Sequence, residues 1–250
     1  MNTLVIIPAR YASTRFPGKP LFVIGGKSMI RRVYEQASSC AELSAVVVAT
    51  DHPGILNHVL DFGGKAVMTA GSHRTGTERC AEALEIFQRE TPQEIDIVIN
   101  IQGDEPFLNP EQISEVIRTF SDPAVRIATL ARKISSPEDI KDPNVVKLVC
   151  DLHQRVLYFS RSKIPYIRTP SGEECAPEFP FLEHIGIYGF RNSILQELVN
   201  LPESSLEKAE SLEQLRWLQH GYSIHVRETT YPSISIDTPA DLLKITNRLG

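Results

Sequence analysis

The chain has 250 residues, 42% hydrophobic and 23% charged, proportions ordinary for a water-soluble globular protein. Its formal charge of −5 speaks against general binding to nucleic acid or to an anionic membrane surface. No apolar run approaches the roughly 20 residues that cross a bilayer, so no membrane insertion is expected.

The amino terminus enters a strand at once, without a cationic leader or a small-residue cleavage site. A cytoplasmic protein with one large domain over 1–250 is the expectation. Cys40, Cys80, Cys150 and Cys175 are widely spaced and read as free thiols of a reducing compartment. The histidines show no zinc-type spacing.

Leu4–Ile7 reads as a strand. It breaks into Pro8-Ala9-Arg10-Tyr11-Ala12-Ser13-Thr14-Arg15-Phe16-Pro17-Gly18-Lys19. Three cations and a glycine at the carboxyl end of a strand suit a polyphosphate, because open α/β sheets bind ligands there. The bland alternative is a solvated basic turn. Gly25-Gly26-Lys27-Ser28 is not a Walker A motif, since Leu21 stands where that motif needs glycine. It reads as a turn before a helix over Ser28–Ser38, with Ser28 near the N-cap. No G-x-G-x-x-G follows any strand.

Ala45–Ala49 is the next strand. Thr50-Asp51-His52-Pro53 closes it and opens a helix over Pro53–Phe62; Asp51 either faces a nucleotide or caps the helix, the commoner role. Ala66–Met68 is a short strand. His73-Arg74-Thr75-Gly76-Thr77-Glu78-Arg79 leads into a helix over Thr77–Gln88. Thr75 and Glu78 fit a capping box. The same segment offers hydroxyls, N–H groups and Arg79 to an anion or a base edge.

Ile95–Ile101 delivers Asn100-Ile101-Gln102-Gly103-Asp104-Glu105-Pro106 to its carboxyl end. Gly103 permits close backbone approach. A hard carboxylate here suits Mg²⁺, which takes one or two protein carboxylates plus substrate phosphates. The alternative is an acidic turn before a helix over Pro110–Phe120, capped by Asn109. Ile127–Leu130 and Val145–Val149 read as further strands. The alternation predicts a Rossmann-like α/β fold, a mostly parallel sheet flanked by helices.

Beyond residue 150 the regularity fails. Pro165, Pro170, Pro177, Pro180 and Ser171-Gly172 suggest an irregular excursion, and residues about 132–190 are expected to form a cap or dimerisation arm. Leu206–Leu218 has apolar residues every third position and reads as one amphipathic helix. Ile224–Val226 reads as a strand and Pro239–Leu249 as a closing helix. Ser235-Ile236-Asp237-Thr238-Pro239-Ala240-Asp241 is, locally, a helix start.

Seven segments, spread in order over residues 4 to about 245, resemble the CMP-Kdo synthetases (3-deoxy-manno-octulosonate cytidylyltransferases). IIPARYASTRFPGKPL resembles their amino-terminal signature. His73–Arg79 is similar to their SGTER segment on the cytosine nucleotide. Gln102–Pro106 resembles their QGDEP nucleotide and metal segment, and Ser235–Pro239 their DTP segment. Tyr158–Pro165 and Glu183–Phe190 resemble YFSR-x-x-IP and HLGIYG(Y/F). Leu206–Arg216 resembles the segment ending in LEQLR. The departures are Phe16, Ser28 where Pro is frequent, Ile236, and a variable stretch near 167–180.

The resemblance implies transfer of CMP from CTP to the anomeric hydroxyl of Kdo, with pyrophosphate released, for lipopolysaccharide assembly. It implies Arg10, Arg15 and Lys19 on the triphosphate, and Asp104 and Asp237 on Mg²⁺. Ala9, Arg10, Thr75, Arg79, Gln102 and Gly103 would contact CTP. Arg161, His184, Tyr188, Glu213 and Gln214 would line the sugar pocket. Taken alone, His184 and Tyr188 are ordinary core-rim residues. A homodimer is implied as well. The rival readings are a cytidylyltransferase for a sialic acid-like sugar and a non-catalytic sugar-nucleotide-binding protein. Intact Lys19, Asp104 and Asp237 argue against the latter.

Overall fold

The structure, a computed structural model, describes residues 1–12, 16–168, 179–236 and 241. The chain opens with β1 (Thr3–Ala9), a single 3-10 turn (Lys19–Leu21), the hairpin β2 (Val23–Ile24) and β3 (Lys27–Ser28), and α1 (Met29–Ser38). Next come β4 (Ala45–Thr50), α2 (Pro53–Asp61), β5 (Ala66–Met68), α3 (Gly76–Glu90) and β6 (Ile97–Asn100). Then follow α4 (Pro110–Thr119), β7 (Ile127–Lys133), α5 (Pro137–Lys141), β8 (Lys147–Cys150) and β9 (Val156–Ser160). The described chain closes with β10 (Leu182–Arg191), α6 (Asn192–Val199), α7 (Ser205–Glu210), α8 (Gln214–Gln219) and β11 (Ile224–Glu228).

The main path through the sheet is β11-β7-β10-β6-β1-β4-β5. Six of these seven strands run the same way; β10 is antiparallel to both neighbours. The expected mostly parallel α/β sheet is therefore present. Strand period then sorts the core into two layers. Leu4 and Ile6 of β1 join α3, α6 and α8 on one face. Val5 and Ile7 join α1, α2 and α4 on the other. Because both faces are covered, the strands are apolar runs and not alternating ones.

Caps set the helix starts. Ser28 Oγ accepts from Arg31 N–H at 3.3 Å. Asn109 Oδ1 accepts from Glu111 N–H at 2.9 Å, while Gln112 Oε1 accepts from Asn109 N–H at 3.1 Å. Pro110 fills the first helical position, where its missing N–H costs nothing. These ends match the sequence expectation.

Two expectations are corrected. Leu206–Leu218 is not one helix. It breaks at Ser211, whose φ of 53° is left-handed, into α7 and α8. Across the break Arg216 clasps Glu207 with Nε–Oε2 and Nη2–Oε1 distances of 2.7 and 2.6 Å. This bidentate pair folds α8 back on α7, and it has no signature in the apolar period. The arm expected over about 132–190 also takes in too much. β10 lies inside the main sheet, between β6 and β7. Among the described residues, only β8 and β9 hang beyond the main path, as an antiparallel pair beside the start of β10. The closing helix of 239–249, Asp241 apart, and Cys175 lie outside the described residues. Among the described residues no helix is long and apolar enough to cross a membrane.

α4 packs on β10 through the absence of a side chain. A Cβ on Gly189 would sit 2.6 Å from Phe120 Cε2 and 2.6 Å from Val116 Cγ1. Gly189→Ala is expected to destabilise the protein by about 1–3 kcal/mol, as overpacked cores do. A urea midpoint equal to that of the parent chain would contradict this packing.

Candidate active site

β1, β4, β5 and β6 lie side by side and parallel, so their carboxyl ends open on one edge of the sheet. From β1 the chain moves first to β4 and β5 on one side, then to β6 on the other. This reversal leaves a crevice where open α/β sheets bind ligands. A cavity of about 140 Å³ occupies it, lined by Pro8, Ala9, Arg10, His73, Arg74, Thr75, Gly76, Arg79 and Gln102. Five residues expected to contact the nucleotide thus meet in one place: Ala9, Arg10, Thr75, Arg79 and Gln102. Gly103 lies just behind. A Cβ there would meet Pro8 O at 2.9 Å, so only glycine lets the β6 loop close on β1.

The α3 end of the cavity is braced from within. Thr75 Oγ1 accepts from Glu78 N–H at 3.2 Å. The other half of the expected capping box is displaced by one residue, because Glu78 Oε2 accepts from Arg74 N–H at 2.8 Å. Arg79 is buried and donates to Thr69 Oγ1 at 2.6 Å, Ala70 O at 3.3 Å and Asp51 Oδ2 at 3.0 Å. Asp51 is therefore not the cap of α2. His52 takes that role, its Nδ1 accepting from Gly54 N–H at 3.1 Å. Asp51 pairs with the arginine of the cavity wall, a contact 28 residues away that local capping rules could not reveal.

Lys19 and Asp104 face each other across the mouth of β1 and β6, with Nζ 2.6 Å from Oδ2. The backbone of Asp104 also accepts from Ile236 N–H at 3.0 Å. Ile236 is fully buried against Ile24 and Met29. Asp237 and Arg15 lie outside the described residues.

Glu105, which sequence reasoning passed over, is buried beside Asp104 near the irregular stretch of β10, where a Cβ on Gly186 would stand 3.5 Å from Glu105 Oε1. Burial and the neighbouring Asp104 charge raise its pKa to about 7, opposed by a hydrogen bond from Ser233.

The expected sugar-pocket residues divide. Tyr188 lies opposite Asn100 in the β10–β6 ladder. Glu213 accepts from Thr77 Oγ1 at 2.8 Å, which joins α8 to the start of α3. Burial raises the pKa of Glu213. Burial and the Glu213 charge raise the Tyr188 phenol well above its usual range. His184 bonds Thr129 Oγ1 through Nε2 at 3.0 Å and packs on Phe159 and Tyr188. Burial lowers its pKa to about 3, so it is a neutral imidazole at physiological pH. Arg161 sits at the α7–α8 break, donating to Pro143 O, Glu210 O and Ser211 O at 3.0, 2.8 and 3.4 Å. Gln214 is buried at the first turn of α8. None of these five lines the cavity described above.

Among the described residues no group of three or more His, Cys, Asp or Glu side chains could hold a metal. A Mg²⁺ site asks for less, one or two carboxylates completed by substrate phosphates and water. Asp104 fits that chemistry: a partly exposed hard oxygen donor that already faces a cation.

An α/β fold of nucleotidyltransferase type, with its crevice at the strand reversal, is the class these features define. A family model described as cytidylyltransferase matches residues 4–225. The 3-deoxy-manno-octulosonate cytidylyltransferase of Parabacteroides distasonis is 49% identical over 248 residues, 98% of this chain and 96% of that protein. That of Thermodesulfovibrio yellowstonii is 47% identical over 97% of this chain and 96% of its own. A solved CMP:2-keto-3-deoxy-manno-octonic acid synthetase complexed with CTP superposes with a TM-score of 0.90 at 42% identity, covering 100% of this chain and 98% of that one. A 4-diphosphocytidyl-2C-methyl-D-erythritol synthase from Anaerococcus prevotii shares the fold at a TM-score of 0.63 and 16% identity. The chain belongs to the 3-deoxy-manno-octulosonate cytidylyltransferase family.

Glu105 gives a pH prediction. Its folded-state pKa, about 7, lies above the ordinary 4.5. The stabilisation from holding it protonated is present below about pH 4.5 and lost as pH rises toward 7. Glu105→Gln should flatten the fall in urea midpoint between pH 5 and 8; an unchanged slope would contradict the assignment.

Proposed function

We infer that this protein transfers CMP from CTP to the anomeric hydroxyl of 3-deoxy-manno-octulosonate and releases pyrophosphate. The observation that carries this reading is end-to-end kinship with cytidylyltransferases of that name, together with a crevice at the sheet reversal lined by the residues expected on the nucleotide. The sugar oxygen attacks the α-phosphorus, the bond from that phosphorus to the oxygen bridging to the β-phosphate breaks, pyrophosphate leaves with that oxygen, and the hydroxyl proton passes to solvent water. Such a transfer is mainly positioning and charge stabilisation.

Arg10 lines the crevice and is exposed, so its guanidinium can donate to a phosphate oxygen. Lys19 and Arg15 add positive charge on the same loop, and together the three cations offset charge growing on departing pyrophosphate. The nucleoside end fits the wall made by Ala9, Thr75, Arg79 and Gln102, where Asp51 and Thr69 hold Arg79 fixed. The sugar acid fits toward Tyr188 and Glu213, with neutral His184 behind them. Arg161 and Gln214, at the α7–α8 break, complete that side.

Asp104 with Asp237 would hold a Mg²⁺ ion. When bound it supplies Lewis-acid charge neutralisation at the phosphate oxygens. The chain's own contribution at that point is a carboxylate held against Lys19, which keeps the negative charge oriented before substrate arrives. A homodimer and a cytoplasmic setting, with the product passing to lipopolysaccharide assembly, accompany the family reading.

Pyrophosphate release with CTP and Mg²⁺ tests the reaction. Release with Kdo and not with N-acetylneuraminate is expected; release with the sialic acid alone would overturn the sugar. Asp104→Asn should lower kcat on the order of a hundredfold, with CTP affinity changed far less. Near-normal turnover would overturn its role.

A further inference from the structure

The turn from β4 into α2 touches two walls of the crevice at once. Asp51 reaches Arg79 on the α3 side. The next residue, His52, turns the other way and stacks its ring on Tyr11, with centroids 4.2 Å apart and planes inclined by 16°. Tyr11 follows Arg10 directly and opens the basic loop. Its carbonyl accepts from Gly18 N–H at 3.0 Å, closing that loop just before Lys19. Its ring also lies against Gly18, where φ is +70° and a Cβ would come 3.3 Å from Tyr11 Cε2.

The imidazole beneath is itself immobilised. Nδ1 is engaged by Gly54 N–H, the His52 N–H donates to Thr50 Oγ1 at 3.2 Å, and a Cβ on Gly54 would press on the ring at 3.0 Å. Neither Tyr11 nor His52 lines the cavity. Tyr11 remains 40% exposed, so the stack contributes little to the core. What it does fix is the start and end of the loop that carries Arg10 and Lys19.

We propose that Tyr11 and His52 are positioning residues: their stack anchors the basic loop to the rigid end of β4 and so sets the geometry of the triphosphate site. This rests on reading the loop as the triphosphate cradle. The consequence is selective. Loosening the loop weakens contacts to the β- and γ-phosphates, while the nucleoside wall, held separately through Asp51 and Arg79, keeps its shape.

His52→Asn separates the stack from the helix cap, because asparagine is a good N-cap acceptor but has no ring. Calorimetric titration of the purified full chain with CTP and with CMP is the experiment. A stacked aromatic pair is worth about 0.5–1.5 kcal/mol, which corresponds to roughly a two- to twelvefold change. His52→Asn and Tyr11→Ala should each weaken CTP by that factor and raise KM for CTP, with CMP affinity and thermal midpoint unchanged. Tyr11→Phe, which keeps both rings and the helix cap, should bind CTP like the parent chain. The double variant should be no worse than Tyr11→Ala alone, because the stack that His52→Asn deletes is already gone in that variant.

Equal losses for CTP and CMP, unaltered CTP affinity in both single variants, or additive losses in the double variant would overturn the proposal while leaving the nucleotide reading intact. Failure of the parent chain to bind either nucleotide would overturn that reading and the proposal with it.

Discussion

Everything at this site depends on the parallel ladder of β5, β4, β1 and β6. Ala9 pairs with Thr50, Thr50 with Met68, and Ile6 with Asn100. Parallel pairing brings carboxyl ends to one edge, so loops far apart in the chain emerge together. The basic loop, the Asp51–His52 turn, the segment before α3 and the Gly103–Asp104 turn are neighbours for this reason alone. No single loop contains the crevice; the register of the strands assembles it.

Charge around that edge is largely paired within the protein. Asp51 meets Arg79, Asp104 meets Lys19, and Glu207 meets Arg216. Pairing matters more where burial is deep, because an isolated charge out of water is costly. His184, which bonds Thr129 and has no carboxylate partner among the described residues, stays neutral instead. Glu105 and Glu213 are pushed toward their protonated forms by the same desolvation. Among the described residues of that edge, Arg10 lines the crevice and stays exposed, which suits the phosphate role proposed for it.

The aromatic layer behind the site ties its two halves together. Trp217 of α8 packs edge-on against Tyr188 and Phe190 of β10. Thr77 of α3 bonds Glu213 at the head of the same helix. α8 is thus tied both to the start of α3 at the crevice and to β10. The Arg216–Glu207 clasp holds α8 against α7 across the break.

Apolar runs, caps and turn residues made the first half of the fold legible from residue order. β1, β4, β5 and β6 and helices α1 to α4 fall where their periodicity puts them, and Ser28 and Asn109 cap as their types predict. So did the segments that join the family, with Ala9, Arg10, Thr75, Arg79 and Gln102 meeting in one crevice. Interactions that act through space left no such trace. Asp51 fits a cap or a nucleotide contact by local rules, yet His52 holds the cap and Arg79 holds Asp51. Leu206–Leu218 kept an unbroken apolar period across a left-handed Ser211, because a salt bridge and not hydrophobicity folds it back. β10 entered the middle of the sheet against the direction of its neighbours, although its residues lie next to a proline-rich stretch. Local propensity is written in neighbouring residues and can be read from them; strand order, long-range pairing and desolvation arise only when distant segments pack, and they set the site's geometry and its charge.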